Sequence, residues 1–292
     1  MSIKKFKILV FGIGILLLIN LIVLGYWFVL FNGNVSEDSL KVVFLNVGQG
    51  DAALIQTSQQ DILVDGGPDK NIIYKLDKYI PFYDREIDLM ILTHLDSDHL
   101  TGLVEVLKRY PVKKIISNGL KNYDSIALEW ERLIQEKNIP QQIADIPLTI
   151  LLDEQTLIEF LWPSQDLIKE SKGDDNFTSL VFKLTHGNNK FLFTGDVPKE
   201  VEEILAATEN DLKADVLKAG HHGSKYSSTM EFLSKVKPKY GVISCGENNF
   251  GHPSLRVLKN LENIRAEILR TDQLGDVIFL SDGQELTLTS KK

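Results

Sequence analysis

Cysteine is almost absent from this 292-residue sequence, which contains only Cys245. A single cysteine cannot form a disulfide within the chain and has no partner for a cysteine-based metal site. Because Cys245 ends the apolar run 240–245, we interpret it as a small buried residue. The low cysteine content is compatible with either an exported or a cytoplasmic protein.

Basic residues are too few to give the chain the positive charge of a typical nucleic-acid-binding protein. The formal net charge is −8, and because Lys4, Lys5 and Lys7 precede the first apolar stretch, the remainder carries −11. An anionic substrate is not excluded, because bound divalent cations reverse the sign of the charge locally. With 43% hydrophobic and 25% charged residues, the composition is that of a globular protein rather than a disordered chain.

Residues 8–31 form one long apolar segment without a charged side chain. As a helix, this segment is longer than the roughly 30 Å hydrocarbon thickness of a bilayer. The preceding lysines are expected to remain in the cytoplasm. We therefore predict that residues 1–31 are a cytoplasmic N-terminus and a single-pass anchor in the cell membrane, with the catalytic domain extracytoplasmic. A cleaved signal peptide is the alternative, which the length of the run and the lack of an Ala-x-Ala site disfavour.

Residues 32–39 are predicted to be a linker, and residues 40–292 one domain large enough for a full hydrophobic core. Short apolar runs alternate with polar turns and with helices predicted at 124–138, 198–207, 229–236 and 253–261. The predicted strands are 41–47, 53–56, 62–64, 87–93, 149–152, 156–161, 179–185, 190–194, 215–218, 240–245, 267–270, 277–280 and 285–289. This pattern predicts an α/β fold in which two sheets pack together with helices outside.

The densest group of potential metal ligands is His94-Leu95-Asp96-Ser97-Asp98-His99. Alternate residues leaving a strand project to the same side, so His94 and Asp96 are placed to share one metal. Asp98 and His99, on the following turn, are placed to hold a second. Imidazole and carboxylate ligands suit zinc, manganese or iron. The alternative is a polar turn in which Asp98 only caps a helix, but capping does not require two histidines.

Three later stretches contain further side chains of these types. Asp196 follows the predicted strand 190–194, where its carboxylate is placed to bridge two metals. His221 and His222 lie between glycines after another apolar strand, a pattern that packing explains poorly. His252 precedes Pro253, which suits the first position of a helix, and a helix N-terminus attracts anions. Considered singly, Asp196 is better explained as a turn residue, and His252 is equally well explained as a cap or packing residue.

Together and in this order, these segments resemble the metallo-β-lactamase fold, and specifically the extracytoplasmic hydrolase domain of the ComEC competence proteins. The resemblance covers roughly residues 41–289 and implies an αββα sandwich with the site at the sheet edges. It is carried by residues 44–52 (FLNVGQGDA), 63–67 (LVDGG), 94–99 (HLDSDH), 176–181 (NFTSLV), 194–196 (TGD), 220–224 (GHHGS) and 251–253 (GHP).

The resemblance also implies roles for individual residues. His94 and Asp96 belong to one metal, Asp98 and His99 to the other, and Asp196 bridges them. His221 completes the second site, with His222 as the alternative ligand. Asp65 orients the cluster by contacting a ligand. The predicted catalytic residues are Asp98, His222 and His252, and the predicted additional ligands or substrate contacts are Asp175, Asn176, Ser179 and Ser224.

Two positions differ from the pattern of the wider superfamily. Asp96 stands where histidine is usual, and Asp174, Asp175 and Asn176 stand where a histidine is expected ahead of the 179–185 strand. Both changes replace nitrogen with oxygen ligands on the same metal, and ComEC-type domains share the first. Harder ligands shift the preference toward manganese, with zinc as the alternative. We therefore predict two divalent ions, either manganese or zinc.

The predicted function is that of a membrane-anchored extracytoplasmic metal-dependent hydrolase, a phosphodiesterase or DNase with an anionic phosphodiester substrate. One alternative is hydrolysis of a cell-envelope phosphodiester. The other is a metal-stabilised surface-binding module without catalysis, although a complete ligand set usually indicates activity. Opening of a lactone or β-lactam is disfavoured, because the carboxylate-rich first metal site departs from those families.

Overall fold

The structure is a computed structural model that describes residues 14–25, 39–170 and 175–290. Residues 14–25 form helix α1 and belong to the compact unit Met1–Glu37, while Asp38–Lys292 forms a second unit. Within the described residues, no helix has both the length and the hydropathy needed to cross a membrane. The predicted anchor extends beyond α1 on both sides. Its ends, like nearly all of the predicted linker, lie outside the described residues.

The second unit contains fifteen strands in two sheets among its described residues. The strands are β1 Leu40–Phe44, β2 Ala53–Gln56, β3 Asp61–Val64, β4 Leu89–Leu92, β5 Ile115–Ser117, β6 Gln141–Ile143, β7 Leu148–Leu151, β8 Thr156–Trp162, β9 Val181–His186, β10 Asn189–Phe193, β11 Val216–Lys218, β12 Tyr240–Ile243, β13 Glu267–Arg270, β14 Val277–Ser281 and β15 Leu286–Leu288. The two-sheet prediction is confirmed, although β5 and β6 were not predicted.

Each sheet combines an antiparallel part with a parallel part. The first sheet has the order β15-β14-β1-β2-β3-β4-β5-β6, and its strands are parallel from β3 to β6. The second has the order β13-β12-β11-β10-β9-β8-β7, and its strands are parallel from β10 to β13. Within each sheet the parallel strands end at the same edge. The loops that follow β4, β10, β11 and β12 lie together, because their side chains contact one another across the two sheets.

Helices cover the outer face of each sheet. The helices of the second unit, among its described residues, are α2 Asn71–Leu76, α3 Ser97–Leu107, α4 Ser125–Lys137, α5 Gln165–Glu170, α6 Lys199–Ala207, α7 Met230–Val236, α8 Leu255–Asn263 and α9 Thr271–Leu274. One apolar core lies between α2–α4 and the first sheet, and another lies between α6–α8 and the second sheet. The result is a four-layered αββα sandwich.

The central core lies between the two sheets. There the Phe193 ring stacks on Phe44, with centroids 5.5 Å apart, and on Phe182, with centroids 4.7 Å apart. Burying each such ring stabilises the fold by about 1.5–3 kcal/mol. Since β1, β9 and β10 each contribute one ring, this stack fastens the first sheet to the second. Cys245 is buried, as predicted.

Two helix starts differ from the sequence-based expectation. Helix α8 begins at Leu255, and the Ser254 side chain caps it by accepting a hydrogen bond from Val257 N. Pro253 therefore precedes the cap instead of occupying the first helical position, and the prediction for Pro253 was wrong. At α3 the N-terminal cap residue is Asp96 rather than Asp98. Asp98 thus lies inside the first turn of α3, where its carboxylate is free to face the site.

The loop after β3 lies directly against α3 because glycines meet there. A Cβ on Gly102 would lie 1.8 Å from Gly66 O, and a Cβ on Gly66 would lie 2.2 Å from Leu103 N, so neither position has room for a side chain. Gly66 N donates to His99 O over 2.8 Å. This close approach places Asp65 beside the ligand-rich start of α3.

Candidate metal centre

Histidine and aspartate side chains converge at the shared edge of the two sheets. Among the described residues, four groups of three such side chains offer ligand atoms within 4.8 Å of one another. The groups are His94–His99–Asp196, Asp98–His99–His222, Asp51–Asp196–His222 and Asp51–Asp65–His99. His99 belongs to three of the groups and Asp196 to two, so the groups overlap in one cluster.

The three innermost histidines all present Nε2 to this cluster. His222 Nδ1 donates to Ser244 O over 3.0 Å, and His99 Nδ1 lies 2.8 Å from Asp65 Oδ2. His94 Nδ1 lies 3.0 Å from Thr93 Oγ1. A histidine that ligates a metal usually engages its second nitrogen in this way, which fixes the ring and its tautomer.

The carboxylates lie at separations that fit shared cations. Asp196 Oδ2 is 3.4 Å from His99 Nε2 and 3.2 Å from His222 Nε2, and Asp98 Oδ2 is 3.1 Å from His222 Nε2. With metal–ligand distances near 2.1 Å, two ligands on one tetrahedral cation lie about 3.4 Å apart. On the other side of the cluster, His94 Nε2 is 3.5 Å from Asp96 Oδ2.

Unsatisfied buried atoms give a direct test of whether a cation fits. Within the described residues, Asp51 Oδ1, His94 Nε2, His99 Nε2 and Asp196 Oδ1 are buried and have no hydrogen-bond partner. Leaving such groups unpaired in the interior costs about 1–3 kcal/mol each. Nitrogen and oxygen atoms that converge without hydrogen-bond partners, His94 Nε2 and His99 Nε2 above all, are the donor set that a divalent cation takes, so the residues fit a metal.

The charges of the cluster also favour the binding of a metal cation. Burial by itself raises the pKa of Asp196, but His222, His99 and Lys218 hold it well below the usual value. Burial by itself lowers the pKa of His222, but Asp196 and Asp51 raise it well above the usual value. Buried carboxylates that attract protons to imidazole attract metal cations by the same electrostatic force.

Asp65 fixes the orientation of His99. Its carboxylate accepts hydrogen bonds from Thr93 N through Oδ1 and from Thr93 Oγ1 through Oδ2, both over 2.8 Å, in addition to the His99 contact. The Asp65 backbone has a positive φ of 55°, which turns the side chain back toward β4. These contacts fit the orienting role implied by the resemblance.

His221 and His222 occupy different positions although they are adjacent. Both have positive φ, 49° and 52°, so the turn after β11 directs the two rings apart. His222 is buried within two of the ligand groups. His221 belongs to none of the groups found among the described residues, its Nε2 is 3.8 Å from Asp196 Oδ2, and its side chain is partly exposed. The geometry therefore favours His222, the alternative ligand of the sequence-based prediction, and the choice between the two histidines stays a prediction.

His252 and His221 line the rim of the centre. Their ring centroids are 5.5 Å apart, and His252 Nδ1 has no hydrogen-bond partner among the described residues. Ser224 is buried nearby and its N donates to His221 O. His252 and Ser224 thus lie beside the ligands rather than among them.

The segment before β9 contacts the His94 side of the centre. Ser179 Oγ lies 3.4 Å from His94 Nδ1 and accepts from Asp196 N over 3.1 Å, so Ser179 supports two ligands. Asn176 Oδ1 is buried without a partner within the described ranges, and Asp175 O accepts from Thr178 Oγ1. A ligand role for Asp175 or Asn176 stays a prediction, and Asp174 lies outside the described residues.

Two buried charges near the ligands were not assigned roles from the sequence. Lys218 Nζ forms an ion pair with Asp51, lies 3.5 Å from Asp196 Oδ1 and donates to Gly195 O over 3.0 Å. Asp51 Oδ1 also lies 3.3 Å from His222 Nδ1. A lysine directly after Val216 and Leu217, at the end of a predicted buried strand, was the available signal, since a charged residue there must find a partner.

Comparisons with known proteins agree with this fold and cluster. Residues 45–247 match the family model of the metallo-beta-lactamase superfamily. The chain is 30% identical over 267 residues to ComE operon protein 3 of Bacillus subtilis (strain 168), covering 82% of this chain and 33% of that protein. It is 30% identical over 264 residues to Recombination protein 2 of Haemophilus influenzae, covering 88% of this chain and 31% of that protein. The chain therefore spans about a third of the length of these relatives.

A solved structure shows the same fold at low sequence identity. The metallo-beta-lactamase fold protein YhfI from Bacillus subtilis matches with a TM-score of 0.57 and 14% identity, over 84% of this chain and 100% of that chain. The resemblance stated from the sequence motifs is confirmed by the family match and by the competence-protein relatives. This chain belongs to the metallo-β-lactamase superfamily and is related to the ComEC-like competence proteins.

Proposed function

We propose that this chain is a metal-dependent phosphodiesterase whose substrate is DNA. The observation that carries the proposal is the convergence of three histidine Nε2 atoms on the carboxylates of Asp98 and Asp196. This superfamily consists mainly of metal-dependent hydrolases, and the buried unpartnered atoms of the cluster fit the metal.

Two cations, manganese or zinc, fit the donor set better than one. His94 Nε2 approaches Asp96, whereas His222 Nε2 approaches both Asp98 and Asp196, so the ligand atoms fall into two groups. Asp96 provides oxygen in the first group, which favours manganese there. When bound, a cation pair neutralises phosphoryl oxygens and lowers the pKa of a water molecule.

Residues at the rim are placed to act on the substrate itself. Burial lowers the pKa of His252, and the neighbouring His221 and His222 lower it further. His252 is therefore a neutral hydrogen-bonding imidazole at neutral pH. Its role in this proposal is to hold a phosphoryl or leaving-group oxygen, with His221 beside it.

A DNA substrate is favoured by charge and by the relatives. Bound cations supply the positive charge that the acidic domain otherwise lacks. One relative is named Recombination protein 2, and recombination is a reaction of DNA. Since this chain covers only about a third of that relative, the substrate belongs to the proposal.

The proposed location is the cell membrane, with the catalytic domain extracytoplasmic. The support is the uncharged segment 8–31 and the three lysines before it. A domain held outside the cytoplasm would meet external DNA or envelope polymers before any cytoplasmic nucleic acid.

The test uses the full-length chain, stripped of metal and then supplied with manganese or zinc. We expect metal-dependent cleavage of bis(p-nitrophenyl) phosphate and of single-stranded DNA, and loss of both activities in Asp98→Ala. Cleavage of the small ester without cleavage of DNA would favour an envelope phosphodiester. Metal binding with no cleavage of either compound would refute the hydrolase and favour a binding module.

A matched pair of variants tests the ligand assignment. His221→Asn and His222→Asn both keep a residue that tolerates positive φ, so any difference between them reflects the side chain. We expect His222→Asn to lose about one metal equivalent by elemental analysis, and His221→Asn to retain the full complement. Equal metal loss in both variants would contradict the assignment.

A further inference from the structure

A cleft opens beside the metal centre, on the side of His221 and His252. Its volume is about 330 Å³, and Ser224, Tyr226 and Phe250 also line it. A row of rings connects it to the ligands, with centroid separations of 6.0 Å from His222 to His221, 5.5 Å from His221 to His252 and 5.8 Å from His252 to Phe250. A group bound in this cleft is therefore adjacent to a phosphodiester at the metals.

Phe250 is unusual in being both exposed and firmly held. Its side chain is 75% exposed, yet Asn248 fixes its loop. Asn248 Oδ1 accepts from Phe250 N over 3.1 Å and from His252 N over 3.0 Å. Asn248 Nδ2 donates to Gly246 O over 2.8 Å and to His252 O over 2.7 Å. A preorganised loop that presents an aromatic ring to solvent is what a stacking partner requires.

The wall formed by Lys225 and Tyr226 provides positive charge rather than a second free ring. Tyr226 is 55% exposed, but Lys225 Nζ covers its ring at 4.9 Å from the centroid. Arg256 donates to Lys225 O over 2.7 Å, which places a second cationic group next to Lys225, outside the lining of the cleft. The cleft therefore combines one free aromatic ring, at Phe250, with a cation suited to a phosphate, at Lys225.

We propose that this cleft is a nucleobase subsite, in which Phe250 stacks on a base of single-stranded nucleic acid next to the phosphodiester held at the metals. This inference rests on the proposed function and specifies that the nucleic-acid substrate is single-stranded. The face of a base in a duplex is covered by its neighbours, whereas an unstacked single strand offers the face to an aromatic side chain. Stacking also supplies affinity that an acidic domain cannot obtain from overall charge.

The experiment measures binding of fluorescein-labelled oligonucleotides with cleavage-resistant phosphorothioate linkages to the full-length chain by anisotropy, with metal present. One oligonucleotide is single-stranded DNA, and the other has the same length and backbone but abasic sugars. We expect Phe250→Leu to raise the Kd for the DNA roughly 5- to 150-fold, the range for one base–aromatic stack. We expect little change in its Kd for the abasic oligonucleotide. Phe250→Trp should bind DNA at least as tightly as the unmodified chain.

Controls separate the subsite from the catalytic proposal. Phe82 is 81% exposed and lies outside the cleft, so Phe82→Leu should leave both Kd values unchanged. If Phe250→Leu weakens binding of the two oligonucleotides equally, or of neither, the nucleobase subsite is refuted. If no phosphodiester is cleaved but the base-dependent effect of Phe250 remains, the hydrolase proposal fails while the subsite stands.

Discussion

Asp65 is the residue through which the fold controls the metal ligands most directly. It contacts His99 and both polar groups of Thr93, and its positive φ is one that asparagine also adopts. Asp65→Asn should therefore keep the backbone but remove the carboxylate that orients His99. We expect a 10- to 100-fold loss of metal affinity, roughly the effect seen when an outer partner of a ligand is removed.

Competition against a chromophoric chelator measures that affinity. The exposed Asp69→Asn is the control with the same change of charge and should bind metal normally. An Asp65→Asn variant with unchanged affinity would show that Thr93 alone suffices to position His99.

Lys218 and Asp51 form a buried ion pair beside the ligands. Burial by itself lowers the pKa of Lys218, but Asp51 and Asp196 raise it, so the ammonium group is charged. Lys218→Met should destabilise the metal-free protein by up to about 3–5 kcal/mol, because buried Asp51 loses its ammonium partner and keeps only the imidazoles of His222 and His99 beside it. The double variant Lys218→Met/Asp51→Asn should lose less stability than Lys218→Met alone.

Urea unfolding in a chelating buffer gives these free energies of unfolding. The exposed Lys213→Met is the control and should change stability by less than about 0.5 kcal/mol. If the double variant is as unstable as Lys218→Met, the ion pair is not the cause of the loss.

The ligand-rich segment was identifiable from the sequence because its ligands lie within six residues. Asp51 and Lys218 are far apart in the chain, so no short segment of the sequence identifies them as partners. They meet only in the folded domain, where the end of β11 lies beside the loop before β2. The choice between His221 and His222 was also beyond the sequence. It depends on two consecutive positive φ angles, which residue types alone do not determine.

Among the elements, α6 and α7 are joined by one buried carboxylate. Glu202, on α6, accepts hydrogen bonds from Ser228 N and from Thr229 N, the latter over 2.7 Å. Thr229 is the N-terminal cap of α7, and its segment continues from the His221–His222 turn. Burial raises the pKa of Glu202 to about 7.

This raised pKa predicts a pH-dependent stability with a definite sign. Folded Glu202 retains its proton up to about pH 7, whereas the unfolded side chain loses it near 4.5. Its contribution is therefore fully present below pH 4.5 and is lost as pH rises through 7. Relative to Glu202→Gln, wild-type stability should fall by about 3 kcal/mol between pH 4.5 and 7.5, at 1.36 kcal/mol per pKa unit.

Urea unfolding of both proteins across this range tests the prediction, and the other titrating groups cancel in the difference. Glu203→Gln on the same helix is the control, for which the difference should be flat. A difference that rises with pH would mean that the hydrogen bonds to Ser228 and Thr229 outweigh burial.

Sequence patterns predicted most of the strands well and the short helices poorly. Strands such as Ala53–Gln56 and Glu267–Arg270 have the predicted bounds, because apolar runs between turns are strong signals. The short helices α2, α5 and α9 were not predicted, since four to six residues hold too few periodic positions. Strand β6, Gln141–Ile143, lies at the edge of the first sheet, and its side chains are largely exposed. Its sequence therefore has no hydrophobic pattern from which a strand could be predicted.

For the molecule as a whole, the net negative charge and the metal centre have opposite effects on a polyanionic substrate. The domain, residues 40–292, has a formal net charge of −9, because the full chain carries −8 and residues 1–39 carry +1. It repels a polyanion at long range, while the metal centre and the Lys225 wall attract it locally. A substrate strand is therefore expected to contact this domain at the site and to be repelled from most of its remaining surface.

The predicted membrane anchor can be tested on the whole chain. Lys4, Lys5 and Lys7 precede the uncharged segment 8–31, so the chain expressed in a bacterium should sediment with membranes. It should resist extraction by 1 M salt and alkaline carbonate, because burial of about 20 apolar residues is not reversed by either treatment. Protease added outside spheroplasts should digest the catalytic domain, since the lysines hold the N-terminus in the cytoplasm. A Lys4→Glu/Lys5→Glu/Lys7→Glu variant should remain membrane-bound but lose this uniform orientation. If salt releases the wild-type protein from membranes, or if its catalytic domain resists the external protease, the anchored topology is disproved.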